Sequence, residues 1–188
     1  MKGLLRSMRL FFICLLAIFS IDSDEIFWSN SIKLSPRDFK DNGTIDSVSA
    51  AYSFTRIKID YSLTALEEYR VEVFAIFIPD SSRWNTDTSN FIVLLHEQLH
   101  FDITELYCRK IRKELTESHF RKSLFPVEVR LLALNYYKKS CGFQDLYDSE
   151  TDHSKDLKVQ LRWQNAIEDS LSKYDGFQNP EVFVNTSP

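Results

Sequence analysis

The chain has 188 residues, a formal net charge of −4 and a pI near 5.6. Hydrophobic residues at 44% and aromatics at 14% can fill one real core, and the length suits a single domain with short extras. The acidic balance argues against general nucleic-acid binding, and no repeat, low-complexity tract or long linker interrupts the chain.

Residues 1–22 have the form of a secretory signal peptide. Lys2, Arg6 and Arg9 give a positive start, Leu10 to Ile21 an apolar run, and Ser20 a small residue for cleavage. The run is too short for a comfortable helical span, although an uncleaved anchor is the alternative reading. Cys14 lies inside the run without the small residues of a lipobox. The expected product is an exported protein, periplasmic or secreted, with no stable membrane span after cleavage. Its domain would cover residues 27–175 and a C-terminal tail residues 176–188.

Phe27-Trp28-Ser29 opens the domain. Ser35-Pro36 predicts a short helical turn with Ser35 as its N-cap, and Asp41-Asn42-Gly43 a turn. Ala51 to Tyr61 alternates as a strand does. Tyr69 to Ile78 is rich in β-branched and aromatic residues and stops at Pro79. Only Leu63 to Glu68 separates the two, which predicts antiparallel pairing. Pro79 to Asn90 is polar and loop-like. A long helix-compatible run without Gly or Pro follows from Asn90 to Leu115, with Thr88, Ser89 and Asn90 as N-cap choices and Arg109, Lys110, Arg112 and Lys113 towards its C-terminal end. A second helix is expected over about Pro126 to Lys139, with Gly142 beyond its end. A polar loop is expected from Tyr147 to Ser154, then a third helix over about Lys155 to Tyr174, and a loose tail from Phe177. Strands followed by helices predict an α+β domain: a small antiparallel sheet packed on a central helix, with two further helices.

That central helix carries His96-Glu97-Gln98-Leu99-His100, the HExxH pattern. Helical residues four apart differ by roughly 40° around the axis, so both imidazoles leave one face, one turn apart, as two nitrogens on one zinc ion require. Glu97, beside the first histidine, suits a general base acting on water. The N-terminal half of the helix is apolar nearly all round, which predicts burial, and buried histidines and a glutamate need partners. A metal supplies them; a polar network without metal is the competing arrangement.

A catalytic zinc site needs a third protein ligand. Glu105 and Asp102 lie well off the histidine face and are expected to face solvent or to stand behind the ligands. The extension HExxHxxGxxH is absent, with Ile103 and Leu106 at the decisive positions. His119 is expected on the surface. His153, in the loop Asp148-Ser149-Glu150-Thr151-Asp152-His153, is the chosen third ligand, and Glu128 on the second helix the alternative. Tyr107 shares the histidine face and is a candidate for contact with substrate or oxyanion. After signal cleavage Cys108 and Cys141 remain, a candidate disulfide or two buried thiols.

The helix HEQLHFDITELYCRKIRKEL, with YDSETDHS and Gln160…Trp163-Gln164-Asn165 downstream, resembles a bacterial family of predicted secreted zinc-dependent proteases. That family's pattern has a HEQGHFDI-like helix and a later Tyr-Asp-x-x-Thr-x-His-Gly loop. Trp28, Leu34-Ser35-Pro36-Arg37-Asp38-Phe39-Lys40 and Ala50-Ala51-Tyr52-Ser53 resemble its opening. The similarity runs from about Phe27 to Tyr174. It implies a zincin-like fold, a peptide or protein substrate, and a zinc-dependent peptidase in which His96, His100 and His153 hold Zn²⁺ and Glu97 is the base. A non-catalytic zincin-like envelope protein, used for binding or scaffolding, is the other reading. The chain departs from the pattern at Leu99 and Ser154, both glycine in the family.

Overall fold

The computed structural model describes residues 24–41, 50–87 and 90–187. The signal segment, the Asn42-Gly43 part of the predicted turn and the cap candidates Thr88 and Ser89 lie outside them. The described residues form a mixed α+β arrangement in which one buried helix packs against a small sheet on one side and two other helices on the other, one of which also touches the sheet at its start.

In chain order, β1 is Ile26–Phe27, followed by a 3₁₀ turn at Pro36–Asp38. Asp38 Oδ2 accepts from the amide and hydroxyl of Ser35 and closes the turn that the Ser-Pro pair predicts. Next come β2 (Ala51–Tyr52), β3 (Thr55–Leu63), β4 (Tyr69–Phe77) and β5 (Arg83–Trp84). β3 and β4 pair antiparallel from Thr55↔Phe77 to Leu63↔Tyr69, the expected hairpin. β4 holds the centre of the sheet. Its other edge is shared by β1 at Phe77 and Ile76 and by β7 (Glu181–Val184) at Tyr69 to Glu72. Val71, Val73, Ala75 and Phe77 turn to one face and are buried, the period-2 pattern of a strand covered on that side.

Helix α1 runs over Phe91–Glu117. The Asn90 side chain accepts from the amides of Ile92 and Val93, satisfying two donors that a helix start leaves without partners. One apolar cluster lies between α1 and the sheet, where Phe101, Cys108, Ile111 and Leu115 meet Val71, Val73 and Phe77. A second lies on the opposite side of α1, where Leu99, Ile103, Leu106 and Tyr107 meet Tyr147 and Ile167. Being covered on both sides explains why the helix is apolar nearly all round. Fully burying a Phe, Ile or Leu side chain stabilises by about 1.5–3 kcal/mol, so these two clusters hold α1 far more firmly than its helix propensity. Leu99, where the family pattern has glycine, is simply part of the second cluster.

Charged residues of α1 also turn inward. Glu105, Arg109 and Arg112 are each 2% exposed or less, so of the two positions expected for Glu105 the solvent-facing one is excluded. Glu105 accepts from Arg109 Nε at 3.0 Å and Arg112 Nη1 at 2.8 Å. The spare guanidinium donors cap carbonyls of other elements: Arg109 on Leu171, Arg112 on Val73 and Phe177. Asp102 is likewise turned inward, accepting from Trp28 Nε1 and Gln98 Nε2.

The C-terminal half corrects three expectations. After β6 (Phe120–Arg121), helix α2 runs unbroken over Phe125–Thr151. Gly142 does not stop it, because a glycine with helical φ costs a helix only about 1 kcal/mol and α2 is held by packing along its length. The predicted polar loop therefore divides. Tyr147 to Thr151 form the last helical turn, with Tyr147 and Thr151 fully buried. Asp152, His153 and Ser154 then turn in the left-handed region, at φ 48°, 50° and 74°. Ser154 thus occupies a backbone conformation that favours glycine, the residue of the family pattern. Helix α3 follows at Leu157–Lys173. The tail is not loose: β7 completes the sheet and β8 (Thr186–Ser187) pairs parallel with β6. Cys108 and Cys141 are free thiols, so the candidate disulfide is not formed.

Candidate metal centre

Three ligand atoms converge where α1 faces the C-terminal turns of α2. His96 Nε2 and His100 Nε2 stand 3.2 Å apart. Asp148 Oδ1 lies 2.9 Å from the first and 3.0 Å from the second. Ligands at ~2.0–2.1 Å from a tetrahedral ion are separated by about 3.3 Å, so the triangle is close to one face of a zinc tetrahedron. Both histidines are buried and Asp148 partly so.

The surroundings fix the rings. Tyr147 stacks on His96 at 4.5 Å and 22°, and meets the edge of His100 at 5.2 Å. Gln144 Oε1 lies 3.0 Å from His100 Nδ1, and Gln144 Nε2 donates towards Ser140 Oγ. Burial resists charge on both partners of the centre. Hydrogen bonds from the two rings still hold the Asp148 carboxyl well below its ordinary range. For His100, burial is likewise opposed and outweighed, by Asp148, Glu97 and Gln144, and its pKa is raised. The site is thus tuned to place positive charge against a carboxylate.

The donor set fits a zinc ion. Two imidazole nitrogens and a carboxylate oxygen are its usual partners, and here three such atoms converge. Glu97, 4% exposed, lines the same cleft as His96 and His100. The cleft encloses about 930 Å³. Its floor is α1 and one wall is the stripe Tyr137, Cys141, Gln144 and Asp148 of α2. The facing wall is the segment Ala50 to Ile57, including the start of β3. Thr55 Oγ1 and Thr104 Oγ1, 2.7 Å apart, pin that strand to α1. Among the described residues no strand pairs with the outer edge of β3.

Of the residues singled out from sequence, His96, Glu97 and His100 meet here. His153 does not occupy the third corner. It stands at the mouth of the cleft, its side chain 73% exposed and its Nδ1 4.0 Å from Asp148 Oδ1. The extension of α2 explains the exchange: the helix delivers Asp148 to the two rings, and the left-handed turn carries His153 outward. Glu128 is remote from the site, hydrogen-bonded to the amide and guanidinium of Arg121. Tyr107 faces Phe143 and Lys110 outside the cleft and makes no contact with the centre. His119 is exposed, as expected. Sequence reasoning missed Asp148, Tyr147 and Gln144. Their signal was the spacing 137, 141, 144, 148, one face of a helix, hidden by ending that helix before Gly142.

The chain matches no family model, no curated protein and no solved structure. Among the described residues no helix is long and apolar enough to cross a membrane.

Proposed function

We propose that the protein is an exported, zincin-like zinc metallopeptidase in which His96, His100 and Asp148 hold the ion and Glu97 is the general base. The observation that carries this reading is the convergence of those three ligand atoms beside a buried glutamate in an open cleft. Three protein ligands leave a coordination position open, the arrangement of catalytic rather than structural zinc. When bound, the ion supplies Lewis acidity, lowering the pKa of a water and polarising a carbonyl.

The remaining steps belong to this chain's own groups. Glu97 takes a proton from the attacking water and passes it to the leaving amine. Tyr147 and Gln144 keep both rings directed at the ion. The open edge of β3 offers backbone donors and acceptors along the cleft, suited to aligning an extended peptide. His153 at the mouth contacts the substrate side. Export rests on the charged and apolar pattern of residues 1–22.

Glu97→Gln tests the proposal. It is expected to keep zinc, measured by metal analysis, while hydrolysis of a broad peptide library falls about 10²–10⁴-fold. Equal inactivity of wild type and variant across the library would instead leave a zincin-like binding or scaffold protein.

A further inference from the structure

Metal-binding histidines need one ring nitrogen free, and a second group must decide which one. His100 points Nε2 at Asp148 and His96, and Nδ1 at the side-chain amide of Gln144, 3.0 Å away. At the amide's other end Gln144 Nε2 donates towards the buried Ser140 Oγ at 3.3 Å. With the nitrogen committed to the hydroxyl, only the carbonyl oxygen faces His100. A carbonyl oxygen accepts and does not donate, so in this orientation Nδ1 carries a proton, and the proton that Nε2 shares with Asp148 is the one a metal displaces. Ser140 and Gln144 are one turn apart on α2, and Asp148 lies one turn further, so a single helix face supplies an anchor, an orienting group and a ligand.

We propose that Gln144, steadied by Ser140, is a positioning residue that holds a proton on His100 Nδ1, so that Nε2 is the nitrogen released to the metal. The inference rests on the metal-site reading above and adds to it the origin of the correct tautomer. Among the described residues His96 has no such partner: its Nδ1 is buried without a hydrogen bond, and its ring is held by stacking on Tyr147. The two histidines are therefore fixed by different means, His100 by a directed hydrogen bond and His96 by packing. Losing the group that orients a metal-binding histidine typically costs 10–100-fold in metal affinity.

Two variants at one position separate orientation from mere packing. Gln144→Leu keeps bulk and removes the acceptor. Gln144→Glu keeps bulk and supplies a group that, ionised, can only accept. Zinc affinity by chelator competition is expected to fall 10–100-fold in Gln144→Leu and to return to within a few-fold of wild type in Gln144→Glu. Histidine ¹⁵N spectra of the zinc-free protein are expected to show a proton on His100 Nδ1 in wild type and Gln144→Glu, and its loss in Gln144→Leu. Unchanged affinity in Gln144→Leu, or Gln144→Glu as weak as Gln144→Leu, would overturn the proposal. A wild type without zinc affinity would remove the metallopeptidase reading, while the nitrogen spectra would still judge the role of Gln144.

Discussion

At the scale of single residues, the centre turns on Asp148. It brings one oxygen to two histidine nitrogens, whereas His153 approaches that oxygen only to 4.0 Å from an exposed position. Asp148→Ala is expected to weaken zinc binding by more than about 100-fold, beyond what the loss of an orienting group costs, and His153→Ala by only a few-fold. Chelator competition on the two variants decides; the reverse order would restore His153 as third ligand. The same groups set a pH dependence. The folded pKa of Asp148 lies below its ordinary 3.8, so its stabilising contribution is present above that pH and is lost as the pH falls further. The folded pKa of His100 lies above its ordinary 6.5, so its contribution is complete below that pH and is lost as the pH rises through the folded value. In the zinc-free protein this cluster therefore stabilises most between those two values. Zinc requires a neutral ring and moves the optimum upward. Denaturant midpoints against pH, with and without chelator, measure the shift; identical profiles would contradict it.

At the scale of elements, α2 carries a glycine that its geometry does not need. Gly142 has no positive φ, and a Cβ placed there would meet nothing within 4 Å. Neither conformation nor close packing requires it. Gly142→Ala is expected to raise stability by about 0.5–1 kcal/mol through helix propensity alone, read as a higher urea midpoint with unchanged zinc affinity. A loss of stability would mean that α2 bends or opens at this point. α1 shows the opposite economy. Its inward acid and arginines are fully paired and cap carbonyls of β4, α3 and the C-terminal segment, so polar groups in the interior tie together elements that apolar contacts alone would leave free to slide.

At the scale of the whole molecule, the last residues hold the sheet to α1. Val182 and Val184 are buried where β7 pairs with β4, and Arg112 reaches from α1 to the carbonyl of Phe177. Ending the chain after Gln178 uncovers both valines and one edge of β4. The expected cost is about 3–6 kcal/mol, from two buried valines at 1.5–3 kcal/mol each. Urea unfolding measures it, and a loss under 1 kcal/mol would show that the tail is dispensable to the fold.

Periodicity and turn chemistry sufficed for what is local. The hairpin of β3 and β4, the capped start of α1, the long buried helix and the facing of His96 and His100 all follow from residues within a few turns of one another. The α+β class followed from the order of those elements. What depended on distant partners was not legible. Gly142 looks like a helix end until packing carries α2 past it. Glu105 could face solvent or stand behind the ligands until two arginines, themselves bound to carbonyls of other elements, bury it. Glu181 to Val184 is too short to declare itself a strand until β4 offers an edge. The third corner of the candidate metal centre belongs to this second group. Which side chain, 48 residues or more beyond His100, meets the two rings depends on which helix reaches them and where that helix stops, and the packing of α2 on α1 brings Asp148 rather than His153 to them.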